Sequence, residues 1–201
     1  TEIIVYPAGK MDPSYVIPDG VEIIGDYAFS DVREIESVTV PEGVKSIGGY
    51  AFRGCFSITS MTLPDGIKSI GGYAFEACKE LVSINLPDSV RSIGSYCFDC
   101  CYVLETVNIP QGVTTIQDFT FGQCKELKSI VIPDSVTSIG AYSFNNCHDL
   151  KSVVIPESVT NIGDHAFSEC FFLESITVPE SVTAIDDDVF YHCVKAVVSC
   201  Y

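Results

Sequence analysis

Proline recurs along this chain at a fixed step of 23 residues: Pro18, Pro41, Pro64, Pro87, Pro110, Pro133, Pro156 and Pro179. Only Pro7 and Pro13 fall outside the series. Other columns keep the step. Isoleucine holds one from Ile24 to Ile185, and phenylalanine another: Phe29, Phe52, Phe75, Phe98, Phe121, Phe144, Phe167 and Phe190. Cysteine joins from the second unit, at Cys55, Cys78, Cys101, Cys124, Cys147, Cys170 and Cys193, where the first unit has Val32. The unit reads P-[DE]-[GS]-V-x-x-I-G-x-Y-A-F-x-x-C-x-x-L-x-S-[IV]-x-[LIV]. A segment this short cannot enclose a core of its own. It must stack on its neighbours, and the stack buries one continuous apolar column.

The pattern within a unit assigns its parts. In Leu81-Val82-Ser83-Ile84-Asn85-Leu86, Ile84 and Leu86 share one face by the two-residue period, and Ser83 and Asn85 share the other. This is a strand, and stacking sets such strands side by side as a parallel sheet at about 4.8 Å per rung. Proline lacks the N–H a ladder needs, so it ends each strand. Pro-Asp-Gly, as at Pro64-Asp65-Gly66, suits a turn. Val-x-x-Ile before the glycine column is a second short extended piece. In Tyr-Ala-Phe-x-x-Cys, the three-residue spacing of Phe and Cys predicts a single helical turn. The Phe column is the mechanical spine. The chain then reads as one domain over 1–201. Residues 1–17 are a capping or partial repeat, 18–178 are seven full repeats, and 179–201 are a degenerate last one. Ile3-Ile4-Val5-Tyr6 is out of register and is expected to pair as a capping strand, while Tyr15 and Ile17 fall in the strand columns of a shortened first rung.

The run I-G-x-Y-A-F-x-x-C-x-x-L-x-S-[IV]-x-[LIV]-P stands almost letter for letter at residues 70–87 and 139–156. It resembles the BspA-type, or Treponema-style, leucine-rich repeat, over about residues 15–193. The resemblance implies a curved right-handed leucine-rich-repeat solenoid. With the elements above, that is an α/β fold: a parallel sheet on the concave side, short extended pieces and single helical turns on the other faces. It also implies a surface or secreted protein of a host-associated bacterium, linked to adhesion to host proteins and other cells. No catalytic residues belong to the repeat, so none carry over. Departures are visible. Gln117 and Asp186 replace the glycine. Phe119, His165 and Asp188 replace the tyrosine. Cys97, Thr120, Ser143 and Val189 replace the alanine, and Ala196 takes the leucine place. The last unit, ending Val197-Val198-Ser199-Cys200-Tyr201, lacks a polar cap. That end implies either further chain or an atypical covering strand, and it favours a monomer with end-to-end association as its risk.

Charge narrows the partners. There are 27 acidic and 11 basic side chains, a net charge of −16. This argues against nucleic acid, which needs clustered Lys and Arg, and against docking on an anionic membrane. No apolar run reaches the length of a membrane span. Thr1 to Lys10 lacks the basic-then-apolar layout of a signal peptide, which leaves a mature fragment of a secreted protein open.

Chemistry-bearing residues are plentiful but scattered. Seven of the ten cysteines belong to the repeat column, where Cys acts as a small buried hydrophobe. Stacked neighbours have parallel Cβ vectors, poor geometry for disulfides. In Cys97-Phe98-Asp99-Cys100-Cys101 only Cys100 lies outside the pattern. One CxxC is weak against the four ligands zinc usually takes. His148, His165 and His192 occupy different columns and read as surface residues. Asp186-Asp187-Asp188 offers hard oxygens for calcium but lacks the spaced loop pattern, and reads as solvated. No nucleophile, base and acid fall into a recognisable arrangement. No enzyme, metal or cofactor is expected.

What remains is a surface. The outward strand columns are Ser37, Ser60, Ser83, Thr106, Ser129, Ser152, Ser175 and Thr39, Thr62, Asn85, Asn108, Val131, Val154, Thr177. They form a small, uncharged concave stripe, which β-propensity and cross-strand hydrogen bonds also explain. The two positions after cysteine alternate between charged pairs and Phe56-Ser57, Tyr102-Val103 and Phe171-Phe172. These rings either anchor a ligand or fold back over the cysteine column. The candidate binding residues are therefore Phe56, Tyr102, Phe171, Phe172, Asn85 and Asn108. The expected function is non-catalytic recognition of a protein or glycan on a host or microbial surface, from an extracellular or cell-surface position. The alternatives are a structural spacer within a larger surface protein and an intracellular scaffold.

Overall fold

Each unit, counted from its proline, forms one rung of a solenoid, and paired strands keep the 23-residue step from Val21–Ile24 onward, except that Val197–Cys200 pairs one residue short, with Ser175 opposite Val197. The computed structural model describes residues 2–4, 6, 12–186 and 188–200. Val5 of the proposed capping strand, Asp187 of the aspartate triplet and Tyr201 lie outside them.

On the concave side, Ser60–Thr62, Ser83–Asn85 and Thr106–Val107 run parallel, with Ser60 opposite Ser83 and Ser83 opposite Thr106. Ser152–Val154, Ser175–Val178 and Val197–Cys200 form a second parallel group, and Ser14–Val16 pairs with Ser37–Thr39. The middle residue of each of these strands that follows a cysteine column faces inward, as Met61, Ile84, Val153 and Ile176 do. A second ladder comes from Val-x-x-Ile: Val21–Ile24, Ser46–Ile47, Ser69–Ile70 and Ser92–Ile93, then Thr115–Ile116, Ser138–Ile139, Asn161–Ile162 and Ala184–Ile185. Glu2–Ile4 pairs parallel with Val21–Ile24, with a register shift between Glu2 and Ile3. Tyr6 sets its ring 5.5 Å from Phe29, so it closes the front of the spine.

The single helical turns are the part of the expectation that needs correction: no helix occurs among the described residues. Tyr-Ala-Phe-x-x-Cys is a third ladder made of overlapping turns. In the first unit, Tyr27, Phe29 and Asp31 donate their N–H groups to Gly49, Ala51 and Arg53 of the next rung at 2.6–2.9 Å. Their neighbours Ala28, Ser30 and Val32 close local three-residue turns instead. A helix aims every N–H along its own axis, so it cannot supply this alternation. The required reversals fall on left-handed residues, Tyr27 (φ 59°) and Asp31 (φ 58°), and the same two columns repeat along the chain.

The core is the Phe column. Phe29, Phe52, Phe75, Phe98, Phe121, Phe144 and Phe167 are fully buried, with ring centroids 4.9–5.6 Å apart and nearly parallel planes. This is the offset-stacked range for aromatic pairs. A second stack runs outside it, from Tyr27 through Tyr50, Tyr73, Tyr96, Phe119 and Tyr142 to His165, at 4.5–4.8 Å.

The ladders share one seam, in unit 5. A Cβ added at Gly71 or Gly94 would stand 2.4–2.5 Å from the backbone of the preceding rung. Only glycine permits that approach, and there the N–H donates to Ile47 or Ile70 at 2.8–2.9 Å. Gln117 occupies the same column, and the second ladder divides between Ser92–Ile93 and Thr115–Ile116. The concave ladder also has no strand at residues 129–131.

Candidate functional site

The cysteine column is built into the scaffold. Each thiol donates to the carbonyl of the Phe 26 residues earlier, Cys55 to Phe29, Cys78 to Phe52 and so on to Cys193 and Phe167, at 2.9–3.3 Å. In the first unit Val32 fills this column, so no thiol donor stands there. Nine of the ten cysteines, from Cys55 to Cys193, are free thiols. Burial pushes Cys55 up to about 12 and the Cys78, Cys101 and Cys124 thiols well above their usual range. Cys100, half-buried beside the Asp99 carboxylate, is pushed up to about 11, first by burial. These groups are neutral thiols at physiological pH, ill suited to nucleophilic or metal-ligating work.

The concave face carries a groove of about 500 Å³ around Asn85, Asn108, Gln111, Ser129 and Val131, beside the seam. Asn85 is exposed there. Asn108 is held: its Oδ1 accepts from the Leu86 N–H and its Nδ2 donates to the Leu86 carbonyl, both at 2.7 Å. The amide thus stands in for a peptide group between two rungs. Val131 and Val154, 79% and 70% exposed, turn this part of a polar face apolar.

The edge rings are neither bare nor folded away. Phe56 is half-buried between Arg33, 5.1 Å from its centroid, and Lys79 at 4.7 Å. Tyr102 lies between Lys79 at 5.9 Å and Lys125 at 4.7 Å. The 23-residue step therefore sets cation and ring alternately in one row, each contact contributing about 0.5–1 kcal/mol at an exposed site. Phe171 packs on His148 at 4.8 Å. Burial, and then the Lys125 ammonium, hold His148 below its ordinary range. Phe172 is 47% exposed, with Lys195 Nζ 4.7 Å from its centroid.

Two features cross rungs and were invisible to a reading along the chain. Asp164, His165 and Asp188 bring one ligand atom each within 4.8 Å of one another, with His165 Nδ1 2.7 Å from Asp164 Oδ1. This is a partly exposed carboxylate–imidazole cluster able to offer three ligands to a cation. The other is Asp99, buried with Oδ1 unpartnered. Burial, reinforced by Glu76, raises its carboxyl to about 6.

Parallel ladders, a stacked aromatic spine and an exposed concave sheet together define a leucine-rich-repeat solenoid, a fold used in general for binding or scaffolding rather than catalysis. The chain matches the BspA type Leucine rich repeat region in six copies, over residues 13–128 and 114–197. It belongs to that family. A leucine-rich repeat protein of Bacteroides ovatus is 29% identical with a TM-score of 0.73, over 93% of this chain and 55% of that one. The Treponema pallidum leucine-rich repeat protein is 28% identical with a TM-score of 0.66, over 97% and 82%. The chain thus spans about half of the Bacteroides structure. No curated protein matches it.

Proposed function

We propose that the protein is a non-catalytic recognition module, secreted or displayed on a cell surface, that binds a protein or glycan of a host or microbial surface. The observation that carries this reading is the concave surface across units 3 to 6, where two adjoining grooves share Ser129 and Val131. A face otherwise lined by Ser, Thr and Asn there exposes Val131 and Val154 beside Asn85 and Gln111. Exposed apolar side chains rimmed by polar ones mark interaction surfaces. The net charge of −16 favours a partner with a basic patch, with association weakening as salt rises.

The test is a binding panel of extracellular host proteins, glycans and microbial cells against residues 1–201, at low and high salt. A saturable, salt-sensitive partner is expected. Its affinity should fall at least tenfold, roughly 1.4 kcal/mol, when Val131 and Val154 are replaced by Asp with the fold intact. A partner unaffected by those changes overturns the concave site. A blank panel with a cooperative melt assigns the protein to the spacer role instead.

A further inference from the structure

Three departures from column habit meet at one place on the edge of the concave sheet. The column immediately before the outward Ser or Thr holds no lysine except Lys128 and Lys151; its other members are Glu36, Thr59, Val82, Glu105, Glu174 and Val197. Two residues earlier again, the column runs Glu34, Ser57, Glu80, Val103, Glu126, Asp149, and only then Phe172. Lys128, Lys151, Asp149, Glu174 and Phe172 together line a groove of about 540 Å³. Lys128 is shared with Glu105 at 2.6 Å, whereas Lys151 has no ion-pair partner among the described residues. Lys195, from the following rung, lies over the Phe172 ring but does not line the groove.

We propose that this groove binds an acidic saccharide, a pyranose bearing a carboxylate. The inference rests on the recognition-module reading and names a ligand class for its edge. An exposed phenyl ring offers a π face to the C–H groups of a pyranose. Asp149 and Glu174, acceptor-only when ionised, take hydrogen bonds from sugar hydroxyls. The free Lys151 ammonium answers the sugar carboxylate with a charge-assisted hydrogen bond. A neutral sugar leaves Lys151 unanswered.

The experiment is calorimetric titration of residues 1–201 with sialyllactose, oligogalacturonate and lactose, alongside an acidic peptide of matched charge. Saturable binding of one of the two acidic sugars, and none of lactose or the peptide, is expected. Lys151→Glu and Phe172→Ala should each lower affinity at least tenfold with the melting temperature unchanged. Lys45→Glu, the same charge change at an exposed site elsewhere, should leave it intact. Equal binding of lactose or of the peptide overturns the ligand class, and insensitivity to Lys151→Glu overturns the site. If acidic sugars fail while a protein partner binds the concave groove, this inference falls and the module reading stands. If both fail, so do both.

Discussion

Phe98→Ala is expected to cost about 3–5 kcal/mol, the range for removing a buried ring that leaves a cavity. Phe98 is fully buried and stacked between Phe75 at 5.4 Å and Phe121 at 5.6 Å, so both faces of the ring lose their partner at once. In a solenoid each rung is coupled chiefly to its neighbours. The damage should therefore be local before it is global. Hydrogen exchange should show amides of units 3 to 5 losing protection while those of units 1 and 7 keep theirs. Unit 5 should suffer more than unit 3, because the seam leaves it fewer bonds to unit 4. Uniform loss along the chain would sink the nearest-neighbour picture. Phe190→Ala makes a control: Phe190 is only partly buried, and among the described residues it stacks on Phe167 alone, at 6.0 Å, so a smaller effect is expected.

Asp99→Asn should stabilise the protein at neutral pH. The carboxyl is raised from its ordinary 3.8 to about 6, chiefly by burial. A raised folded value means that folding favours the protonated form. Its contribution is whole below about pH 4 and is lost as pH rises through about 6. The loss amounts to roughly 3 kcal/mol by pH 7, at 1.36 kcal/mol for each tenfold change in proton affinity. Gly122, in the next rung, has no side chain to pair with the unpartnered Oδ1. The asparagine variant removes the charge and keeps the shape. Denaturant unfolding of both proteins across pH 4 to 7.5 isolates this group from the other carboxylates by difference. The variant should gain on the wild type as pH rises. A difference that stays flat with pH would show that Asp99 is ionised without penalty.

Much of this architecture was legible in the residues. The columns alone located the strands, the spine and the family, because a 23-residue unit has no way to bury Ile and Phe except by stacking. The third ladder was not legible. Its reversals use tyrosine in the left-handed region, which an aromatic side chain rarely adopts, so spacing alone favoured a helical turn. Asn108 looked like a surface amide because nothing along the chain reveals that Leu86 lies within its reach. The cysteine column read as plain apolar filling, since its acceptor sits a whole rung and three residues away. The groove at Lys151 did leave a signal: two lysines in succession where the other units place mostly acids or small residues.

The seam also sets how the molecule would part under load. Bonds between rungs lie along the solenoid axis, so tension between the two ends pulls every rung gap in series. The gap between units 4 and 5 keeps the turn ladder, through Tyr96 to Asp118, Phe98 to Thr120 and Cys100 to Gly122, but lacks the second ladder, which divides there. A chain pulled end to end has a built-in fuse there. It yields near its middle and leaves two shorter stacks, each still wound around its own length of phenylalanine.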